Sequence, residues 1–238
     1  MHAEPVRLLR TEPHDCGYFE GRVAQNLVVD PDLPHLAALF GNALHAGFRR
    51  SGEHIYRPAC RTCRACVAAR IPVAAFRPDR SQRRCLARNR DLTISEAEAR
   101  INEESFALYR RYVAARHAGG GMDEADEVDI ARFVRSRWSD TRFLELRLEG
   151  ALVAVAVTDR TEIGLSAVYT FFEPALARRG LGTFAILSQI SLAQRLGLPH
   201  LYLGFWIEHH PKMGYKSRYR PLEVLDAGRW RAVDAPVE

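Results

Sequence analysis

Apolar residues recur at helical spacing through Leu33, Leu36, Ala37, Phe40, Ala43 and Leu44, with Gly47 where a C-terminal cap belongs, so the pattern predicts a helix over 33–46. Ahead of it, CGYFEGRVAQNLVVD reads as a glycine-punctuated turn and a short strand that stops at Asp30-Pro31. FRRSGEHIYRPAC predicts a turn and a strand leading into a cysteine-rich loop, and VAARIPVAAF a second strand broken by Pro72. Residues 81–90 read as a basic helix. Residues 96–116 read as helix again, with Ile101, Phe106, Leu108, Tyr109 and Val113 as the apolar contacts. The run HAGGGMDEAD, with glycine at 119, 120 and 121, predicts a flexible loop and is the best internal break.

From residue 129, IARFVRSRW predicts a short helix, FLELRLEG and LVAVAVTDR a hairpin turning at Glu149-Gly150, and LSAVYTFF a third strand. After Glu173-Pro174 a glycine-rich start leads into an amphipathic helix ending at Gly197, and PHLYLGFW closes as a buried strand. These elements predict an α+β protein in two parts. Residues 1–95 form a smaller amino-terminal module with the cysteine loop and a basic segment, and residues 96–238 a mixed sheet with helices.

Composition narrows the class. The chain has 238 residues, 47% of them hydrophobic and 26% charged, which suits one large domain or two small ones sharing a face and excludes disordered, collagen-like and disulfide-miniprotein readings. No stretch approaches the ~18 apolar residues of a membrane span. The start MHAEPVRLLRTEPHDC lacks the apolar core of a secretory signal, so a cytosolic protein without a membrane partner is expected. The net charge of +5 hides an asymmetry: residues 49–90 carry twelve arginines and two acids, a local +10. Clustered guanidinium groups repel one another unless solvated or paired with a polyanion, which makes nucleic acid a leading partner.

Two motifs carry candidate chemistry. Cys60, Cys63 and Cys66 in CRTCRAC have the spacing of metal ligands, and Cys16 supplies a fourth thiol for zinc or an iron–sulfur cluster; small buried thiols are the alternative. ARRGLG at 177–182 precedes a helix and follows strands, which resembles the acyl-transfer domains of the acetyltransferase superfamily. There a glycine loop presents backbone N–H groups to a pyrophosphate. Ala177 stands at that motif's usual Gln/Arg position, and the two glycines also suit a plain tight connection.

Longer stretches carry a closer resemblance. D-C-G-Y at Cys16, GFRRSGEHIYRPAC with CRAC, FRPDRSQRR, LSAVYTFFEP, LGTFAIL, LYLGFWI and PKMGYKSRYRPLEVL span about residues 16–231. Together they resemble the arginyl-tRNA–protein transferase family, and within it the bacterial aspartate/glutamate leucyltransferases. The resemblance implies transfer of leucine from leucyl-tRNA to proteins beginning with Asp or Glu, which marks them for degradation, with no cofactor required for the transfer itself. In eukaryotic arginyl relatives a C-x2-C is followed later by C-C; here Phe19 stands in place of the second cysteine and CRTCRAC in place of the pair.

The chemistry so implied needs cations for an acidic side chain and for acceptor-stem phosphates, and Arg49, Arg50, Arg57, Lys212, Tyr215, Lys216 and Arg218 are the candidate substrate-binding residues. It also needs a donor for the oxyanion and a proton for the departing ribose oxygen, for which Ser166, Tyr169 and Tyr202 are the candidates. Arginyl transfer by the same mechanism, a coenzyme A-dependent N-acetyltransferase and a metal-stabilised nucleic-acid binder are the alternatives, and the oligomeric state stays open.

Overall fold

A computed structural model describes residues 5–116 and 125–233. In chain order its elements are β1 (Leu8–Arg10), β2 (His14–Asp15), β3 (Val23–Ala24), β4 (Asn26–Val29), α1 (Leu36–His45), β5 (Arg49–Ser51), β6 (His54–Pro58), β7 (Val67–Pro72), α2 (Arg80–Arg88), β8 (Leu92–Glu98), α3 (Glu103–Arg116), α4 (Glu127–Val134), β9 (Asp140–Leu148), β10 (Ala151–Thr161), β11 (Gly164–Phe172), α5 (Leu181–Arg195), β12 (His200–Trp206), β13 (Glu223–Asp226) and β14 (Arg229–Ala232). Short 3-10 turns lie at Pro174–Arg179 and Gly214–Arg218.

The chain is mixed α/β, built on a large mixed sheet of order β14-β13-β7-β12-β11-β10-β9-β8 in which β11 and β12 run parallel and the other neighbours antiparallel. β10 is buried from Leu152 to Asp159 because both faces are covered. Alternation sends Ala156 toward α5, where it meets Ala185, Ile186 and Ile190, and Val155 and Val157 toward α3 and α4, where they meet Leu108, Tyr109, Ile130 and Val134. A smaller antiparallel sheet, β1-β4-β6-β5, carries α1 and packs Phe40, Leu44 and Ile55 with Tyr202 of the large sheet.

Local signals account for many of the boundaries. Asp79 and Gln82 form a reciprocal cap at the start of α2, and Asn102 with Ser105 does the same for α3. Glu149 and Gly150 both take positive φ, 50° and 89°, as a two-residue hairpin turn demands.

Two expectations of secondary structure change. Residues 96–98 are not helix: Leu92–Glu98 is the edge strand β8, laddered residue for residue onto β9, and the helix begins only at Glu103. The helix ending near Gly197 is not amphipathic but buried nearly all round, since α2 and the sheet enclose it. The large sheet draws strands from both sides of position 95, because β7 sits between β12 and β13 and β8 pairs with β9. The glycine run at 119–121 lies outside the described residues.

Candidate functional site

The parallel pair β11 and β12 stays in register at Leu165 with Leu201 and Ser166 with Tyr202, and then parts. Both strands bulge at that level. Val168 is the extra residue of β11 against β10, and Leu203 the extra residue of β12 against β7. A bulge bends its strand and breaks the ladder, so two at one level open a crevice between neighbours.

Arg49, from β5 of the small sheet, wedges into the opening. Its Nη2 donates to the Val168 carbonyl at 3.0 Å, and its guanidinium carbon lies 5.7 Å from the centre of the Phe205 ring. Gly204 takes φ 74°, and a Cβ there would stand 2.6 Å from Arg49 Nη1. The glycine is therefore required twice, for its left-handed backbone and for the close approach of a cation.

Residues remote in sequence line this crevice. Lys216, in the second 3-10 turn, is 3% exposed and its Nζ donates to the Phe205 carbonyl. Burial, with the Arg49 charge adding to it, brings the ammonium down to about 7. Tyr18, on the loop between β2 and β3, lies within electrostatic reach of Arg49, Tyr56 and Cys66, and burial raises its phenol. His210 Nε2 donates to the Tyr18 carbonyl at 3.1 Å while its Nδ1 accepts from the Lys212 amide at 3.1 Å, which ties the two loops together. Tyr215 is exposed beside Arg49 and Tyr112.

The candidate residues separate accordingly. Arg49, Tyr215 and Lys216 come together at the crevice. Arg50 does not. Its side chain is fully buried, with Nε and Nη2 donating to Asp159 at 2.7 and 2.6 Å and Nη2 also to the Val134 carbonyl and Thr141, so it braces the small sheet against the large one. Arg57 donates to the Ala46 carbonyl at the end of α1 and lies over the Phe48 ring, a helix-end contact outside the crevice. Lys212 and Arg218 are exposed, and the Arg218 carbonyl accepts from Gln82 of α2.

Of the candidate donors, Tyr202 is 3% exposed and its hydroxyl lies 3.5 Å from Arg70, below the parting of the strands, which makes it a core residue. Ser166 is buried at the last paired position. Tyr169 fits better. It follows the bulge, its hydroxyl is enclosed without a hydrogen-bond partner, and burial raises its phenol further still. Tyr18, Tyr56 and Gly204 escaped the sequence reading; a glycine inside the buried run LYLGFW was the available signal for close backbone approach.

Cys16, Cys60, Cys63 and Cys66 share one neighbourhood. Burial and the other three thiols push Cys66 up to about 11, Arg22 donates to Cys63 Sγ at 3.7 Å, and Cys60 Sγ donates to the Gln25 carbonyl at 3.8 Å. Among the described residues, however, no three His, Cys, Asp or Glu side chains are arranged to hold a metal ion. The glycine loop is accounted for by conformation and packing. Gly180 has φ 70°, and a Cβ on Gly182 would lie 3.3 Å from the Phe172 ring.

Comparison with known proteins agrees with the sequence resemblance. Models described as the N terminus and the C terminus of arginine-tRNA-protein transferase match residues 14–84 and 104–226. An aspartate/glutamate leucyltransferase of Stenotrophomonas maltophilia (strain R551-3) is 56% identical, with 97% of this chain and 94% of that protein covered. Proteins of the same name from Xanthomonas axonopodis pv. citri (strain 306) and Xylella fastidiosa (strain 9a5c) are 54% and 50% identical, over 99% and 96% of this chain and 97% and 92% of their own. Among solved structures, a C-terminal DUF2156 domain assigned to a lysylphosphatidylglycerol synthetase of Agrobacterium fabrum superposes with TM-score 0.46 and 17% identity over 71% of this chain and 52% of its own, too loosely to bear on function.

Proposed function

Because the chain belongs to the arginine-tRNA-protein transferase family, we propose that it transfers leucine from leucyl-tRNA to the amino terminus of proteins that begin with Asp or Glu. The acceptor lies in the crevice between β11 and β12, in a mixed sheet of acetyltransferase type. The observation that carries this reading is Arg49 at the parting of the strands: one N–H bond goes to Val168, and its half-buried guanidinium faces the crevice. A carboxylate side chain on the incoming terminus pairs with it, and a neutral terminus leaves the cation unmet, which is how charge confers selectivity.

The reaction converts an ester into an amide, which is downhill without ATP or a resident cofactor. The α-amine, with an ordinary pKa of about 8, is partly neutral near pH 7. Its nitrogen attacks the leucyl carbonyl, a C–N bond forms, the bond from that carbon to the ribose oxygen breaks, and that oxygen leaves with a proton. Lys216, poised near neutrality, is a candidate to relay the proton, and the unpartnered Tyr169 hydroxyl to donate to the oxyanion. Positioning supplies much of the rate. Charged tRNA as a substrate points to work in the cytoplasm, and among the described residues no helix is long and apolar enough to cross a membrane.

Purified protein is mixed with tRNAs charged with leucine or arginine and with peptides starting in Asp, Glu or Arg, and the products are weighed by mass spectrometry. Leucine added to the Asp and Glu peptides is the expected result. Arginine added instead, or no addition together with acetyl transfer from acetyl-coenzyme A, would overturn the proposal.

A further inference from the structure

Some surface arginines of this protein are paired: Arg142 with Asp140, Arg147 with Glu104 and Glu145, and Arg179 with Asp91. Those of helix α2 are not. The helix turns Gln82 and Cys85 inward and holds Arg80, Arg83, Arg84 and Arg88 in solvent, and among the described residues no carboxylate pairs with any of the four. Arg80 with Arg84, and Arg84 with Arg88, stand one turn apart, where like charges weaken a helix. Among the described residues no carboxylate offsets this row of charge, which leaves the face open to an anionic partner.

Two features say what kind of anion. Arg84 and Arg88, with Ser81, Gly180 and Thr183, line a cavity of about 240 Å³, a recess for a compact group that accepts hydrogen bonds from guanidinium and hydroxyl donors together. The row of cations beyond it suits a ligand with charges repeated along its length, as a sugar–phosphate chain has. The row also lies close to the crevice. Gln82 of α2 donates to the Arg218 carbonyl at 2.9 Å, and two residues earlier Lys216 is bonded to Phe205 at the crevice wall.

We propose that the outer face of α2, Arg80, Arg83, Arg84 and Arg88, is the docking surface for the RNA backbone adjoining the aminoacyl end, with one phosphate seated in the cavity formed by Arg84 and Arg88. This rests on reading the crevice as the site of aminoacyl transfer. An acidic protein is the competing partner class. The recess favours phosphate, whose tetrahedral oxygens meet convergent donors, over the scattered carboxylates of a folded surface.

The test replaces all four arginines by Gln and, separately, by Lys, and measures binding of leucyl-tRNA across a salt series together with KM for an Asp-starting peptide. Each phosphate contact contributes about 0.7–0.9 to the slope of log affinity against log salt. The Gln variant should therefore lose about 3 units of slope and at least about tenfold in tRNA affinity near physiological salt, with the fold and the peptide KM retained. The Lys variant should keep the slope, because a point charge suffices for phosphate.

If the Gln variant binds leucyl-tRNA with wild-type affinity and slope while the wild type transfers leucine, the surface is misassigned and the transferase reading stands. If it keeps tRNA affinity but loses the peptide, α2 docks protein and the proposal fails. A wild type that neither binds nor consumes leucyl-tRNA overturns the transferase reading itself.

Discussion

Arg49 and Arg50 are adjacent in sequence and opposite in fate, and replacing each by Met separates the two roles. Arg50 and Asp159 are both at 0% side-chain exposure, joined through Nε and Nη2 at 2.7 and 2.6 Å. Arg50→Met keeps much of the volume but leaves the Asp159 carboxylate with the Thr141 hydroxyl at 2.7 Å as its remaining side-chain donor, and removes the donor that the Val134 carbonyl uses. Removing one partner of such a pair costs about 3–5 kcal/mol. For a chain of this length that lowers the melting temperature by roughly 6–20 °C. Adding Asp159→Leu, which removes the stranded charge, should restore a large part of the loss. Arg49→Met gives up one charge-assisted bond in a half-buried position, about 1–2 kcal/mol, but removes the cation facing the crevice. Leucyl transfer to an Asp-starting peptide should then fall by at least about thirtyfold in kcat/KM, the low end of what truncating one side of a desolvated ion pair costs. Thermal melts and peptide kinetics at 20 °C, where both variants stay folded, decide the matter. An Arg50→Met protein that melts like wild type, or one that loses acidic-peptide transfer while Arg49→Met retains it, would refute the division.

Lys216 gives a pH-dependent expectation. Its folded-state value of about 7 lies below the unfolded lysine value of about 10.4, so between the two the unfolded chain holds a proton that the folded chain lacks, and stability rises with pH by up to about 1.4 kcal/mol per unit. Cys66, pushed up to about 11, and Cys85, also raised by burial, act in the opposite sense from about 8.5 upward, so urea melts from about pH 7 to 8 favour the lysine; Lys216→Met should flatten the rise, and identical slopes in the two proteins would count against a buried, near-neutral amine. Gly204→Ala forces a side chain into φ 74° at about 1–2 kcal/mol and displaces Arg49 Nη1 from 2.6 Å, so a modest fall in melting temperature should accompany a transfer defect resembling that of Arg49→Met. Full transfer activity in Gly204→Ala would mean that the guanidinium does not need its present seat.

Elements set by neighbours in sequence were readable from the chain: α1 by its apolar spacing, α2 by its basic helical run, the β9–β10 turn by Glu149 and Gly150. Elements set by distant partners were not. Ser95 to Glu98 has a composition that suits a helix, and only the ladder with β9 makes it a strand. Asp159 stands 109 positions from Arg50, so nothing local distinguishes the buried arginine from its half-exposed neighbour. The tyrosines show why the site itself was hardest to read. Strict alternation along β11 groups Ser166, Val168 and Thr170 on one face and sends Tyr169 to the other, yet the extra residue at Val168 resets the register, and Tyr169 joins Val168 and Phe171 against α3 and α4. Tyr202, which precedes the corresponding irregularity on β12, stays in the core. The crevice exists because the two-residue period fails on both strands, so the pattern that located the sheet could not also locate the opening in it.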